Sequence, residues 1–451
     1  YTRIMIKTIN LKKGLNMRLA GQLSDTSVAA DIRPARIAIS PDDYPGFLPK
    51  PEVKEGDTVS QGAPLMHDKN DPDVKLVSPI SGTVESIVRG ARRKIERIVV
   101  MPSDECLAAS AIDTASVKTE ADVRRALKKS GLWAMMRRRP YDIVPTDGDR
   151  PRDIFVTAMD TAPLALDPCH TIAGKEAEIA KGVETLKRLT DGTVYISIAQ
   201  GCNFPDIKGA EIVEFNRLHP AGNPGVQIAN IAPLSKGETV WTLDIATLAN
   251  IGHLMLTGKV DFTVTVAITG SEVENPRAVT TVPGAPISQL IDGNIRNDSR
   301  HHRIISGNVL TGVPVGGDGY LRYPYRQVTV IPEGDDADEF MGWASLSPRK
   351  MSESRSFLGK LLGGRFSPDA RLNGGRRAMI MSGIYDDYIP MDIVPEYLIK
   401  AIIAKDIDRM EALGIYEVAP EDFALAEYAD PSKLELQRIV REGLDYMRSE
   451  A

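Results

Sequence analysis

The chain has 451 residues, 42% of them apolar and 26% charged, which is the composition of an ordinary globular protein of more than one domain. A net charge of −6 argues against nucleic acid as a partner, since phosphate binding needs a basic face. No stretch approaches the roughly 18–20 consecutive apolar residues needed to cross a bilayer, so membrane association must come through a partner. The three cysteines, Cys106, Cys169 and Cys202, lack the spacing of a zinc or iron–sulfur site and fit a reducing compartment. Cys169 and Cys202 read as small buried residues. The pattern used below begins at Met5, with Tyr1 to Ile4 set aside as leader or as added residues.

The first unit, residues 5–102, is rich in Gly and Pro and has short alternating apolar runs, which predicts a small all-β unit. Val53 to Leu65 and Val77 to Ile87 each place glycine at a turn and β-branched residues at alternate positions. Together the two phrases resemble the flattened β barrel of biotinyl and lipoyl carrier domains. Carriers display an acceptor lysine on a tight hairpin between such phrases. Here Met66 to Asp73 is longer and acidic, and Lys69 lacks that context, so the barrel is read as scaffold.

Residues 103–258 alternate helices with apolar strands, an α/β arrangement. Thr119 and Asp122 form a capping box for a helix running through Lys128. Ile154 to Thr157 and Val194 to Ile198 read as buried strands, with a helix between Ala173 and Leu189 whose apolar face is Ile179, Val183 and Leu186. Residues 259–332 return to strands, with Phe262, Val264, Val266 and Ile268 on one face and a helix near Ile287 to Ile291, the order of a β-grasp unit. An acidic linker, Glu333 to Asp338, leads to a mostly helical segment, 333–451. There Pro395 starts a helix through Met410 that stops at Gly414. Ser432 and Glu435 cap a final helix along which Leu436, Val440, Leu444 and Met447 recur. This last segment is expected to have a core of its own.

The order of units, with several exact phrases, carries a resemblance. The phrases are Lys13-Gly14-Leu15, Ser130-Gly131-Leu132-Trp133 with Arg137-Arg138-Arg139-Pro140, Phe155 to Leu164, His219 to Gly225, Val264 to Gly270, Gly342-Trp343 and Pro390 to Ile393. The chain resembles the NqrA family, which belongs to the bacterial Na⁺-translocating NADH:quinone oxidoreductases. It is more distantly similar to RnfC, from a related ion-pumping complex, and to the flavin subunit of respiratory complex I. The resemblance implies a multidomain α/β plus β fold. Its units are a biotinyl/lipoyl-like β barrel, a degenerate Rossmann-like flavin-subunit α/β domain, an SLBB-type β-grasp domain and a helical C-terminal domain. It further implies a peripheral position on the cytoplasmic face of the bacterial inner membrane, with the membrane-embedded subunits as partners and quinone as a candidate ligand. The complex as a whole uses NADH, flavins, an iron–sulfur cluster and quinone.

This chain is expected to bind none of those cofactors. Where the flavin-binding relatives have a glycine-rich loop, it reads Leu132 to Arg139, whose bulky side chains would keep a phosphate from the backbone. Ala162 replaces an acidic residue before Pro163, and the relatives' cluster cysteines are missing. Glu427 to Asp430 also departs from the family, where a more apolar phrase with a cysteine is expected.

Six residues are candidates for quinone or partner contact. Arg137, Arg138 and Arg139 read either as a docking patch for an acidic loop or anionic membrane, or as a solvated loop end. Trp133 would line a quinone slot or sit in the core. His219 could exchange protons with a quinone oxygen or be structural, and Asn223 shares its turn-rich loop. No metal site is expected, His301-His302 included. The functional alternatives are a docking component that also contacts quinone and a redox-silent structural cap. A free-standing carbohydrate- or vitamin-binding module, suggested by the β-grasp unit alone, leaves most of the chain unexplained.

Overall fold

The computed structural model describes residues 7–103, 111–296, 300–335, 364–372 and 374–450. Met5, Cys106, part of the acidic linker and the Gly342-Trp343 phrase lie outside the described residues.

Two short strands come first, β1 (Lys7–Ile9) and β2 (Val28–Asp31). The barrel follows as β3 (Ile37–Ile39), β4 (Pro49–Pro51), β5 (Thr58–Val59), β6 (Pro64–Asp68), β7 (Lys75–Val77), β8 (Gly82–Arg89) and β9 (Ile95–Pro102). These form one sheet in the order β3-β9-β8-β5 and a smaller one, β4-β6-β7. Alternate residues such as Ile37, Leu65, Val84 and Ile98 point inward and are buried. The first two strands leave the barrel in which the sequence pattern placed them. β1 pairs in parallel with a strand of the α/β unit, and β2 pairs in parallel with one of the third unit.

The α/β unit runs α1 (Glu120–Lys129), β10 (Arg137–Arg139), β11 (Ile154–Ala158), α2 (Glu176–Leu186), β12 (Val194–Ala199), β13 (Ala210–Phe215), α3 (Pro224–Ile231), β14 (Val240–Asp244) and α4 (Ile245–Thr257). Thr119 and Asp122 form the expected capping box at α1. The sheet order is β1-β13-β12-β11-β14-β10, with β10 alone antiparallel to its neighbour. Every residue of β11 is buried, as a strand covered on both faces requires. The chain moves outward from β11 through β12 to β13, then returns by α3 to place β14 on the other side of β11. That reversal opens a crevice beyond the carboxyl ends of β11 and β14, the usual ligand position in such sheets.

Helices α2 and α4 cross almost backbone to backbone. A Cβ on Gly182 would lie 2.4 Å from the Leu248 carbonyl oxygen, and one on Gly252 would lie 1.7 Å from that of Glu178. The third unit comprises β15 (Val264–Thr269), β16 (Arg277–Thr281), α5 (Ile287–Ile291), β17 (His302–Ser306), β18 (Val313–Val315) and β19 (Gln327–Pro332). Its sheet order is β18-β17-β19-β15-β16-β2, with β15 and β19 parallel at the centre. Ile287, Leu290 and Ile291 pack α5 onto Val266, Ile268, Val328 and Val330.

The last segment holds α6 (Pro395–Ala404), α7 (Ile407–Ala412), α8 (Ala424–Ala429) and α9 (Leu436–Glu450). The single helix expected from Pro395 to Gly414 is two, because Lys405 turns left-handed and Asp406 caps the second through the Arg409 amide. Ser432 does not cap α9. Its hydroxyl donates to the Ala378 carbonyl and accepts the Ile380 amide instead. Leu436, Val440, Leu444 and Met447 are buried as expected, but the core they join is shared with Met159, Val213, Phe215 and Val226 of the α/β unit. Among the described residues no helix is long and apolar enough to cross a membrane.

The α2–α4 contact yields a prediction. Gly252→Ala would gain up to about 1 kcal/mol on helix propensity alone. Because its Cβ would strike backbone rather than a yielding side chain, a net loss of about 2–4 kcal/mol is expected in denaturant melts. A neutral or stabilised variant would mean that the helices part freely.

Candidate functional site

The crevice is built first from the loop after β11. Asp160 reaches solvent while protein crowds around it, and this burial raises its pKa against the opposing Ala162 amide. That amide donates to Asp160 Oδ1 at 2.8 Å. Thr161 Oγ1 accepts the Gly222 N–H at 2.9 Å and lies 3.1 Å from His219 Nδ1. The His219 amide donates to Asn16 Oδ1 at 2.8 Å, and its carbonyl accepts the Leu15 N–H. Burial pushes the imidazole pKa down to about 4. His219 is therefore neutral near pH 7, with one ring N–H and one acceptor nitrogen, and it pins the two loops together.

The other wall is the junction of β14 and α4. Asp244 Oδ1 caps α4 by accepting the Thr247 N–H at 2.6 Å, and Oδ2 pairs with Arg326 at 3.0 Å. Burial alone would raise the Asp244 pKa; Arg326 and the capping amide outweigh it and hold the carboxyl below its usual range. Beside it Tyr323 stacks on Tyr44 at 5.0 Å and donates its hydroxyl to the Met135 carbonyl. Met135, Thr247, Phe262 and Tyr323 border a cavity of only about 30 Å³.

The arginine run is an edge strand rather than a loop end, and its three guanidinium groups go to different places. Arg137 lies over the Tyr323 ring and donates to the carbonyls of Ala134 and Asp43. Arg138 pairs with Asp149 at 3.1 Å and covers Tyr141. Arg139, 2% exposed, is surrounded by Glu421 at 3.0 Å, Asp142 at 3.5 Å and Asp422 at 3.8 Å. Asn223, from the loop before α3, donates Nδ2 to the Glu421 carbonyl at 3.1 Å and lies 3.5 Å from Asp422 Oδ1. A Cβ on Gly225 would fall 2.3 Å from Asp422 Oδ2. The structure thus brings Arg139 and Asn223 together on an acid pair that sequence reasoning missed. Its two partners, Arg139 and Asn223, lie 282 and 198 residues away along the chain.

Trp133 is fully buried. It meets Trp241 edge-on at 5.1 Å, donates Nε1–H to the Pro145 carbonyl at 2.8 Å and lies under Arg124 and Lys128. Cys169 and Cys202 correct the reading that left them unpaired. They form a disulfide, Cα atoms 6.2 Å apart, that ties the loop after β11 to the loop after β12. Neither is fully buried. The chain separation of 33 residues concealed a closeness made by parallel neighbours.

The acid pair sets a pH dependence. Burial pushes Glu421 up to about 8, with Arg139 opposing, and raises Asp422 as well. A carboxyl whose folded pKa is raised stabilises fully below its unfolded value near ~4.5 and loses that contribution as pH climbs through ~8. Glu421→Gln keeps an oxygen for Arg139 without the titration. It should therefore flatten the decline in melting temperature between pH 5 and 9; an unchanged slope would remove Glu421 from the linkage.

Known families and proteins match along nearly the whole chain. The NqrA N-terminal barrel-sandwich hybrid domain matches residues 9–103, the NqrA second alpha/beta domain 118–260, and the NQRA C-terminal domain 265–316. The corresponding component of the Na(+)-translocating NADH-quinone reductase of Rhodopirellula baltica is 36% identical over 449 residues, 98% of each chain. That of Pasteurella multocida is also 36% identical, over 98% of this chain and 100% of the relative. A crystal structure of NAD+-reducing [NiFe]-hydrogenase in the H2-reduced state aligns over 75% of this chain and 62% of its own. At 12% identity and a TM-score of 0.36 it carries no argument. The chain belongs to the NqrA family of Na⁺-translocating NADH-quinone reductases.

Proposed function

We propose that the chain serves as the NqrA component of a working Na⁺-translocating NADH:quinone oxidoreductase. In this reading it sits on the cytoplasmic face of the membrane, docks on the membrane-embedded subunits and binds none of the complex's flavins or clusters. The observation that carries the reading is full-length similarity, 98% of both chains, to a relative from that enzyme. Support for a docking role comes from the α/β unit. In the segment where flavin-binding relatives place a glycine-rich loop, Trp133 fills the core and Arg137 and Arg138 are engaged by neighbouring carbonyls and Asp149. With no membrane-crossing helix among the described residues, attachment falls to contacts with other subunits.

Quinone contact is a second reading, favoured by the aromatic wall of Tyr44 and Tyr323 with Arg137 and Arg326 as nearby donors. The cavity there, about 30 Å³, is far below the ~300 Å³ of ordinary ligand pockets, so Tyr323 must turn aside for a ring to enter.

Two measurements test these readings. The purified chain, added to membranes holding the remaining subunits, should rebind saturably and restore quinone-dependent Na⁺ transport; failure of the folded chain to rebind would overturn the docking role. Calorimetric titration with a soluble short-chain quinone should show one site, weakened about tenfold or more by Tyr323→Ala or Arg137→Ala and little by His219→Ala. No heat at several millimolar quinone would leave docking as the whole role.

A further inference from the structure

A larger cavity, about 450 Å³, lies where the barrel meets the far ends of α1 and α4, with Phe262 bordering both it and the small cavity of the crevice. This is within the range of small-molecule pockets, roughly 300–1,000 Å³. Its wall is apolar, formed by Pro64 of the barrel, Ile112, Leu254 of α4, and Val260 and Phe262 from the lead into β15. Leu254 and Phe262 are buried. Gly258, left-handed at the end of α4, keeps the chain close: a Cβ there would lie 2.6 Å from the Ile112 carbonyl oxygen.

The charges on the lining are unevenly matched. Glu52 is held by Lys75 and by His67, so it is not available to other cations. Arg125 pairs with Asp122 at 3.3 Å. Lys128, one residue from the lining, is doubly paired, to Asp71 at 2.7 Å and Asp147 at 2.5 Å. By contrast, Lys129 and Lys259 are exposed and have no carboxylate at ion-pair distance among the described residues. Asp73 is the remaining carboxylate on the lining. The balance at the mouth is therefore positive over an apolar interior, a combination that suits an anion with a hydrocarbon tail. A neutral ring would gain little from two ammonium groups.

We infer that this cavity binds a single-chain amphiphilic carboxylate of the fatty-acid class. Its tail lies along Leu254, Val260 and Phe262, and its carboxylate sits between Lys129 and Lys259. The site shares only Phe262 with the small cavity of the crevice and does not depend on the quinone reading.

Calorimetry on the full chain with octanoate, decanoate and dodecanoate below their micellar concentrations tests it. One site is expected, tightening about fourfold per added methylene until the cavity is filled. Decanol, with the same tail and no charge, should bind at least tenfold more weakly than decanoate. Lys129→Gln with Lys259→Gln should weaken decanoate about tenfold and leave decanol unchanged, and Leu254→Trp should abolish both. The lysines are exposed, so the double variant should melt like the parent. Equal affinity for decanoate and decanol, indifference to the lysine changes, or displacement of decanoate by a neutral short-chain quinone at similar concentration would overturn the assignment. So would the absence of heat with millimolar decanoate and folded protein.

Discussion

The architecture turns on one buried guanidinium. Arg139 is 2% exposed, and removing its charge from water would cost several kcal/mol if nothing answered it. The answer comes from two units at once: Asp142 from its own loop, and Glu421 and Asp422 from the C-terminal segment. Burial is the main reason that Glu421 and Asp422 are raised, with Arg139 opposing it and the neighbouring carboxylates adding to it. Asn223 and the bare backbone at Gly225 complete the seat. Once Arg139 is fixed, so is the strand that carries it. Arg137 then falls on Asp43 of the barrel and Tyr323 beyond the third sheet, and Arg138 on Asp149 and Tyr141. Three consecutive arginines thereby join the α/β sheet edge to every other unit.

The same logic runs through the rest of the chain. β1 completes one edge of the α/β sheet from about 200 residues away, β2 completes the third sheet, and the C-terminal helices share their core with β13 and α3. The units therefore share sheets and core, so the α/β unit, the third unit and the C-terminal helices each lack a complete sheet or core of their own without their neighbours.

How much of this could be read from the sequence depended on distance along the chain. The capping box at Thr119, the buried strands at Ile154 and Val194 and the apolar stripe of α9 rest on periodicity within a dozen residues, and all were legible. What escaped was set by distant partners. Ser432 had the local signature of a cap, but its hydroxyl is committed to residues 378–380. The helix from Pro395 keeps its apolar spacing past Lys405, yet Lys405 turns left-handed and Asp406 caps a new helix through the Arg409 amide. The charge run at 137–139 looked like an exposed patch because sequence shows charge and conceals its partners: Arg138 turns to nearby Asp149, but Arg137 and Arg139 reach groups 94 and 282 residues away. The disulfide and the acid pair were hidden for the same reason.

The two ends of the α/β sheet have exchanged their usual parts. At the carboxyl end, where this class of sheet ordinarily holds a ligand, Asp244 consumes the field of the α4 N-terminus and the aromatic stack leaves about 30 Å³. The open volume, about 450 Å³, has formed at the opposite end, against the C-termini of α1 and α4. Helix C-termini carry partial negative charge and by themselves repel anions. Part of the charge on Lys129 and Lys259 answers those carbonyls, and a full positive charge exceeds the roughly half charge at each helix end. The excess is what a carboxylate would meet, so a site at this end recognises an anion through side chains, where the carboxyl end would have used backbone amides.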